Sequence, residues 1–340
     1  DQTIRSVNMI QLGRVLTDPD LAPPIRALVV WNANPAVTTP NQRLVLEGLR
    51  RPDLFTVVHE QFLTDTARYA DYVLPATTQL EHLDLMWSWG HDYLALNRPA
   101  IAPVGEAIPN TELFRRLAHR MGFEEPIFST SDEELVRTAL DSDHPYLAGI
   151  TYVRLVADGW ARLNLPDDWR PFATGNFPTQ SGKCEFWSAA LRAEGHDPLP
   201  VYQAAAESTT GDSGLADRYP LALVTAKGAL HFLNSSYANL PRHLRAEREP
   251  RLDVHLTDAE PRGVADGDEV RVFNDRGEVR LRARVGDAIR PGVVAMPSGW
   301  WASLSPGGAA ANTLTPDGLS DWGGGGDFHD TLVEVATIDG

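Results

Sequence analysis

Cysteine is almost absent from this chain, which carries a single one, Cys184, among its 340 residues. One cysteine excludes an internal disulfide, a Cys-X-X-Cys metal site and a four-cysteine iron–sulfur cluster held by this chain alone. We expect Cys184 to be a buried structural thiol, because free cysteine is usually buried and no activating base lies near it in the sequence. The missing disulfide leaves the compartment open, with a preference for the cytoplasm.

Basic residues are also scarce, with 30 Lys and Arg against 46 Asp and Glu and a net charge of −16. This balance disfavours nonspecific nucleic-acid binding and a polybasic contact with a membrane. No apolar run approaches the roughly 20 residues that span a bilayer, so no membrane span is expected. The chain has neither a starting methionine nor a signal peptide, and we expect its natural N-terminus to lie upstream. The GxSxG and HExxH motifs are absent, which makes an unrelated hydrolase a distant alternative.

The first part of the chain alternates apolar strand-like runs with helical segments. Ala27–Trp31, residues 54–58 and residues 72–74 are typical of strands. A helix is predicted over residues 40–51, and a short one capped by Thr64 or Asp65 precedes the third strand. Continuous apolar strands in this order predict a parallel sheet covered on both faces.

Polar residues follow the first two predicted strands. Asn32, Asn34 and Pro35 come after the first strand, and Glu60 and Thr64 come after the second. Ligands of parallel sheets bind at the carboxyl ends of the strands, so two polar loops at one edge favour a ligand site. A carboxylate such as that of Glu60 can accept hydrogen bonds from a guanine edge or a ribose diol. The alternative is that these loops are ordinary connections and that Glu60 is a solvated acid.

Helices are predicted again further along the chain. Residues 110–122 carry an apolar stripe, with Asn110 as the N-cap and Gly122 as the residue that ends the helix. Asn110 can be only a cap, although a helix N-terminus is also compatible with an anion. Two further helical elements are predicted at Asp132–Leu140 and residues 150–159.

The last third of the chain changes to short strands separated by turns. Asn274-Asp275-Arg276-Gly277 is a strong hairpin signal, and this texture predicts a β-barrel or a sandwich. The predicted strands are residues 221–225, 253–256, Glu269–Asn274, 278–285, 292–297 and 332–336.

Several long blocks resemble one family in the family's own order. WNANPAVT, VVHEQFLTDTARYADYVLPATT, LNRPA, FPTQSGK and VADGDEV are similar to molybdopterin oxidoreductases of the dimethyl-sulfoxide-reductase type. The resemblance extends over nearly the whole chain but covers only the C-terminal half of such an enzyme. It implies an α/β, Rossmann-like parallel-sheet portion followed by a six-stranded barrel of the molydopterin-dinucleotide-binding kind.

The resemblance also implies a bis(molybdopterin guanine dinucleotide) cofactor carrying molybdenum or tungsten. Lys227 and His231 lie where the first barrel strand ends and are suited to a pyrophosphate, while Asn234 or Ser235 is suited to a pterin edge. The alternative for Lys227 is a solvated loop charge. The cofactor-binding residues predicted in this way are Asn32, Asn34, Pro35, Glu60, Thr64, Asn110, Thr225, Lys227, His231, Asn234, Asn312 and Phe328.

The expected function is therefore the cofactor-binding part of a redox enzyme. No catalytic residue and no metal ligand is assigned within this chain, because the family supplies the metal ligand and any iron–sulfur cluster from the preceding half. That missing half is the expected partner, and the chain alone is expected to be inactive. The alternative is a non-catalytic scaffold subunit of the same fold in a redox complex.

Three regions are predicted: an α/β portion at 1–125, a connector at 126–217 and the barrel at 218–340. The polar, glycine-containing segment 204–218 is the predicted linker, and limited proteolysis should cut there first because exposed loops are nicked most readily. Mass spectrometry of the first fragments measures the position. A first cut within residues 27–75 would contradict this organisation.

Overall fold

The computed structural model describes residues 4–211, 214–228, 240–308, 310–320 and 322–338. The chain divides into two compact units. The first unit combines Asp1–Val58, Leu63–Val73 and Ala189–Gly340, and the second consists of His59–Phe62 and Leu74–Ser188. The first unit thus joins both ends of the sequence, and its boundary falls elsewhere than in the predicted segment 204–218. The division into three regions remains a prediction.

A three-stranded parallel sheet follows the predicted order, which confirms the α/β portion. Its strands β1 (Ala27–Trp31), β2 (Phe55–Glu60) and β3 (Tyr72–Pro75) are adjacent in the order β1-β2-β3. The short 3-10 turn Thr66–Tyr69 precedes β3, and Thr64 Oγ1 accepts a hydrogen bond of 3.2 Å from the amide of Ala67, as predicted for a cap. The helices of this region are α1 (Leu12–Thr17), α2 (Pro35–Thr38) and α3 (Gln42–Leu49), with a 3-10 turn at Met9–Gln11.

The expectation that this sheet is covered on both faces is wrong for the described part of the chain. Leu28 and Val30 of β1 point into apolar clusters with residues of α3 and with Ala67. The alternate residues of the strands are exposed: Val29 by 37%, Phe55 by 49% and Tyr72 by 62%. One face is therefore packed and the other is open.

Two glycines allow α1 and α3 to pack closely. A Cβ atom at Gly48 would lie 2.4 Å from Cβ of Leu16, and one at Gly13 would lie 2.9 Å from Cβ of Leu44. Leu16 is fully buried in the cluster that these helices share with β1. The close approach fixes α3, whose N-terminal end carries Asn41 and Gln42, against the start of the chain.

The six predicted strands of the last third close into a barrel. All six are present: β7 (Leu221–Lys227), β8 (Arg251–His255), β9 (Glu269–Asn274), β10 (Gly277–Gly286), β11 (Val293–Ser298) and β12 (Thr331–Thr337). Around the barrel they follow the order β10-β8-β11-β7-β12-β9. The predicted hairpin is confirmed, since Asn274 pairs with Gly277 across a two-residue loop.

Apolar and polar residues alternate along the strands, so that the apolar side chains point into the barrel. Val279, Leu281 and Ala283 of β10 are almost completely buried, whereas the arginines between them are exposed. The same period of two places the apolar residues of the other strands in one core. The strand β7 pairs in parallel with β11 and antiparallel with β12, so its end, Thr225–Lys227, opens at the rim beside Ser298.

The second unit contains an antiparallel sheet packed on helices. Its strands are β4 (Asp84–Ser88), β5 (His91–Asn97) and β6 (Trp160–Arg162), in that order. Leu94 and Leu96 of β5 pack against α5 and α6 in one apolar cluster. The helices are α4 (Asn110–Arg120), α5 (Asp132–Leu140) and α6 (Tyr152–Asp158), with 3-10 turns at Pro126–Ser129 and Pro145–Leu147.

The helix α4 differs in detail from its prediction. The residue in the N-cap position is Pro109, so Asn110 is the first helical residue and makes no capping bond. Gly122 ends the helix as expected, with a φ of +78° and its amide bonded to the carbonyl of His119. The predicted apolar stripe is partly exposed, with Leu117 at 40% and Met121 at 62%.

The remaining elements are short helices. Cys184 is exposed, so the expectation of a buried thiol is wrong. The predicted linker is anchored in part, because Glu207 accepts two hydrogen bonds, of 2.5 and 2.7 Å, from Arg276. Across the described residues, no helix is long and apolar enough to cross a bilayer. The short elements are α7 (Ala189–Ala193), α8 (Leu215–Arg218), α9 (Pro241–Glu247) and α10 (Leu256–Ala259), with 3-10 turns at Glu260–Arg262, Ala302–Leu304, Pro306–Gly308 and Ala311–Thr313.

We predict that Gly48→Ala destabilises the first unit by about 1–3 kcal/mol, as overpacking does in cores. The helix propensity that alanine gains, about 0.5–1 kcal/mol, is smaller than the cost of the clash with Leu16. Urea unfolding measures the change. Gly286→Ala is the matched control, since a Cβ atom there meets nothing within 4 Å. Equal stability of the two variants would contradict the packing argument.

Candidate cofactor site

The loop after β1 is tied to the segment that follows β2. The side-chain oxygen of Asn34 accepts hydrogen bonds from the amide of Thr66 at 3.2 Å and from its hydroxyl at 2.7 Å. The Thr66 hydroxyl in turn accepts from the amide of Ala36 at 3.0 Å. Pro35 is buried as the first residue of α2. These bonds hold the two strand-end loops in one fixed arrangement at the carboxyl edge of the sheet.

A loop from the barrel is attached to this edge by side-chain hydrogen bonds. The Nδ2 atom of Asn312 donates to the carbonyl oxygens of Ala36, at 3.2 Å, and Thr39, at 2.7 Å. The hydroxyl of Thr313 donates to Oε1 of Gln42 at 2.7 Å. Gln42 itself donates from Nε2 to the carbonyl of Ala36 at 2.8 Å. Hydrogen bonds therefore connect the barrel loop to the segment after β1, and the two together form one wall.

An ion pair between the buried Asp317 and the exposed Arg14 secures the same loop a few residues later. Asp317 is 4% exposed and receives two hydrogen bonds from Arg14, at 2.6 and 2.9 Å, and one from Asn41 at 3.3 Å. Burial alone would raise the pKa of Asp317, but the hydrogen bonds from Arg14 and Asn41 and the charge of Arg14 outweigh it. The pKa therefore lies below its usual value. Asp317 remains a carboxylate at neutral pH, and α1 is held to the end of the barrel loop.

These contacts border a cavity of about 340 Å³ in the first unit. Its walls come from α2 and the residues after it, the end of β7, the residues after β11, the loop around Asn312 and the segment before β12. The lining residues are Val37, Thr38, Pro40, Thr225, Ala226, Lys227, Ser298, Gly299, Ala311, Asn312, Thr315, Phe328 and His329.

Asn312, one of the residues that line the cavity, carries a buried hydrogen-bond acceptor. Both hydrogen bonds of Asn312 use its Nδ2 atom, and Oδ1 is buried with no donor among the residues that the structure describes. A buried acceptor without a partner costs about 1–3 kcal/mol, so such an atom indicates a site for a donor group of a ligand. The exposed ammonium group of Lys227 and the ring of Phe328 lie in the same cavity. Together they suit a planar ligand that has N–H donors and a negative charge.

The structure brings four of the predicted residues together in this cavity: Thr225, Lys227, Asn312 and Phe328. Asn32, Asn34, Pro35 and Thr64 belong to the same unit but do not line it. Asn32 is exposed with a φ of +50°, and the side-chain oxygen of Asn34 is engaged by Thr66. The predicted positions His231, Asn234 and Ser235 lie outside the described residues.

Glu60 and Asn110 belong to the second unit. The carboxylate of Glu60 accepts a hydrogen bond of 2.7 Å from the amide of Gln61, and burial raises its pKa. The neighbouring His59 is fully buried, and burial lowers its pKa, which favours the neutral ring. The roles predicted for Glu60 and Asn110 at a nucleotide remain predictions.

Sequence reasoning missed several residues of the site. Asp317, Arg14 and Gln42 hold the loop of Asn312 but were not singled out, because their partners lie 271 to 303 positions away along the chain. The available signal was the pair Asn41-Gln42 at the start of α3 and an acid, Asp317, shortly after Asn312. Ser298 and Gly299 were missed because Ser298 ends a strand, β11, that carries no distinctive motif.

Comparison with known proteins assigns both the α/β segment and the barrel segment to one family. Residues 14–120 match the family model described as molybdopterin oxidoreductase, and residues 221–332 match the molydopterin dinucleotide binding domain. The barrel and its rim cavity thus define a protein that binds a molybdopterin dinucleotide. The chain belongs to the molybdopterin oxidoreductase family, of the dimethyl-sulfoxide-reductase type.

The relatives are considerably longer than this chain. It is 42% identical to the probable oxidoreductase YoaE of Bacillus subtilis over 99% of its own length and 48% of that protein. It is 31% identical to acetylene hydratase of Syntrophotalea acetylenica, covering 84% of the chain and 38% of that enzyme. The solved structure of acetylene hydratase from Pelobacter acetylenicus matches with a TM-score of 0.81 at 25% identity, over 97% of this chain and 46% of that one. The chain spans about half the length of the curated relatives that it matches most fully.

We predict that Asp317→Asn lowers the free energy of unfolding at pH 7 by about 1–2 kcal/mol, the lower range for a charge-assisted bond. The lower range applies because the side chain of Arg14 is 58% exposed. The native pKa of Asp317 is depressed, so its stabilisation is present above the unfolded value of about 3.9 and is lost as the pH falls through the native pKa.

The measurement is urea unfolding of the two proteins between pH 3 and 7. The difference between them should shrink towards the acid end. Glu278→Gln is the control, since its ion pair with Arg280 is exposed on both sides and should change stability little. A difference that does not vary with pH would show that the charge of Asp317 is not what holds the loop.

Proposed function

We propose that this chain is the cofactor-binding part of a bis(molybdopterin guanine dinucleotide) oxidoreductase that carries molybdenum or tungsten. The observation that carries the proposal is the cavity at the rim of the dinucleotide-binding domain, with the unpaired acceptor Oδ1 of Asn312 in its wall. The pyrimidinone ring of a pterin has N–H donors that match this acceptor, and the cavity volume lies within the usual range for ligand sites.

The residues around the cavity have separate roles in this proposal. Asn312 accepts a hydrogen bond from an N–H group of the pterin and is held for that role by Ala36 and Thr39. Lys227 neutralises part of the negative charge of a pyrophosphate, which a protein of net charge −16 otherwise repels. Lys227 suits this role because the chain contains only one other lysine, Lys183.

The bound cofactor supplies a metal that changes oxidation state during the reaction of the whole enzyme. This chain's contribution is to hold the organic part of the cofactor, to orient it and to exclude water from its buried edge. The metal ligand, any iron–sulfur cluster and the substrate pocket belong in this proposal to a preceding part of the polypeptide, which is the proposed partner. The 340-residue chain alone should therefore retain little metal and show no turnover. We also propose that the protein is located in the cytoplasm.

Two substitutions test it in the polypeptide extended by its flanking coding sequence. Asn312→Leu removes the acceptor and Lys227→Ala removes the charge, and each should lower cofactor affinity by about tenfold, the equivalent of 1.4 kcal/mol. Guanine nucleotide and molybdenum or tungsten are measured per mole of protein after prolonged dialysis. Lys183→Ala, which removes the other, exposed lysine, is the matched control.

Loss of the cofactor from both cavity variants, with the control unchanged, supports the proposal. Equal cofactor content in all variants would remove Asn312 and Lys227 from the binding site. An extended polypeptide that contains no guanine nucleotide and no metal would contradict the proposed function and would favour a scaffold subunit of the same fold. Urea unfolding of each variant separates loss of cofactor contacts from loss of stability.

A further inference from the structure

The order of the parallel strands determines which face of the sheet its own connections cover. Both crossovers step in the same direction, from β1 to β2 and from β2 to β3. Right-handed crossovers that step in one direction lie on one face of a sheet. The observed packing agrees, since residues of α3 and of the turn before β3 contact the same side of β1. The segments that link these strands therefore leave the opposite face uncovered.

The uncovered face is apolar and aromatic. We call it the bare face and define it by Val29, Phe55 and Tyr72. These side chains are 37%, 49% and 62% exposed, and the ring centroids of Phe55 and Tyr72 lie 5.9 Å apart in an edge-to-face arrangement. None of the three carries a charge. Faces of parallel sheets are normally buried, and a contiguous apolar patch of this kind marks an interaction surface.

The length of the relatives identifies the occupant. This chain aligns over 99% of its length with YoaE and over 97% with the acetylene hydratase structure, yet it accounts for only 48% and 46% of those chains. More than half of each relative therefore has no counterpart here. Helices are the elements that cover parallel sheets, because one apolar stripe of a helix fits the flat surface of the strands.

We infer that the bare face is the docking surface for an amphipathic helix from the additional part of the polypeptide. This inference rests on the proposed function, which requires that part. It goes further by assigning the surface, the three side chains and the kind of element that binds there. The contact completes a sheet with helices on both faces and brings the added part to the sheet whose strand-end loops border the cofactor cavity.

Hydroxyl-radical footprinting tests the inference residue by residue. The 340-residue chain and the polypeptide extended by its flanking coding sequence are oxidised in parallel and analysed by mass spectrometry. In the extended polypeptide, oxidation of Phe55 and Tyr72 should fall to the level of Tyr219, which is 7% exposed. Oxidation of Tyr202, which is 85% exposed, should not change. Unchanged oxidation of the bare face would overturn the inference.

Two further outcomes also overturn it. Protection that is already present in the 340-residue chain and rises with concentration would show that a second copy occupies the face. Protection at all concentrations in that chain would show that the chain covers the face itself. Because footprinting needs no bound cofactor, protection in an extended polypeptide without guanine nucleotide would leave the inference standing while the proposed function fails.

Charged substitutions give an independent readout. Tyr72→Lys should lower the melting temperature of the extended polypeptide by several degrees, because a lysine would be buried against the helix. The same change should leave the 340-residue chain nearly unaffected, since Tyr72 is exposed there. Tyr202→Lys is the matched control and should affect neither protein. Equal destabilisation of both proteins by Tyr72→Lys would show that this side chain acts within the chain described here.

Discussion

Two hydrogen bonds from the side chain of Asn312 connect the barrel to the α/β sheet at the candidate site. They join a loop of the barrel to the carbonyl oxygens of Ala36 and Thr39, in the first loop of the α/β sheet. The backbone carbonyls of that loop are obligatory acceptors, and the amide of Asn312 satisfies two of them at once. The other end of the same side chain is a buried acceptor with no donor among the described residues, so one residue both lines the cavity and carries an unpaired polar atom.

The barrel was the part of the fold that the sequence predicted best. Its six strands alternate apolar and polar residues and are separated by turn signals such as Asp275-Arg276, and this information is local. The order of the parallel strands was also predicted correctly, because short continuous apolar runs bounded by turn residues are typical of buried strands. The exposed residues Leu117 and Met121 show the limit of such patterns, since periodicity indicates an apolar side but not whether anything packs on it.

The site was only partly predictable for a physical reason. Thr225, Lys227, Asn312 and Phe328 were named from their blocks, and the structure places them in one cavity. The side chains that fix their positions were not named. Arg14 and Asp317 are 303 positions apart, and neither has a local pattern that points to the other. Pairs of this kind form only in the folded chain, and a single sequence contains no information about them. The same holds for Asn34, whose side-chain oxygen is used by Thr66.

The arrangement of the first unit along the sequence has a consequence for biosynthesis. Residues 1–58 and 189–340 belong to it, whereas nearly all of residues 59–188 form the other unit. Asn312 reaches back 276 positions to Ala36, and Arg14 pairs across 303. On the ribosome, Ala36 and Arg14 therefore lack these hydrogen-bond partners while the second unit emerges complete and folds. The cavity is among the last features to form, because Phe328 and His329 of its wall are translated almost at the end of the chain.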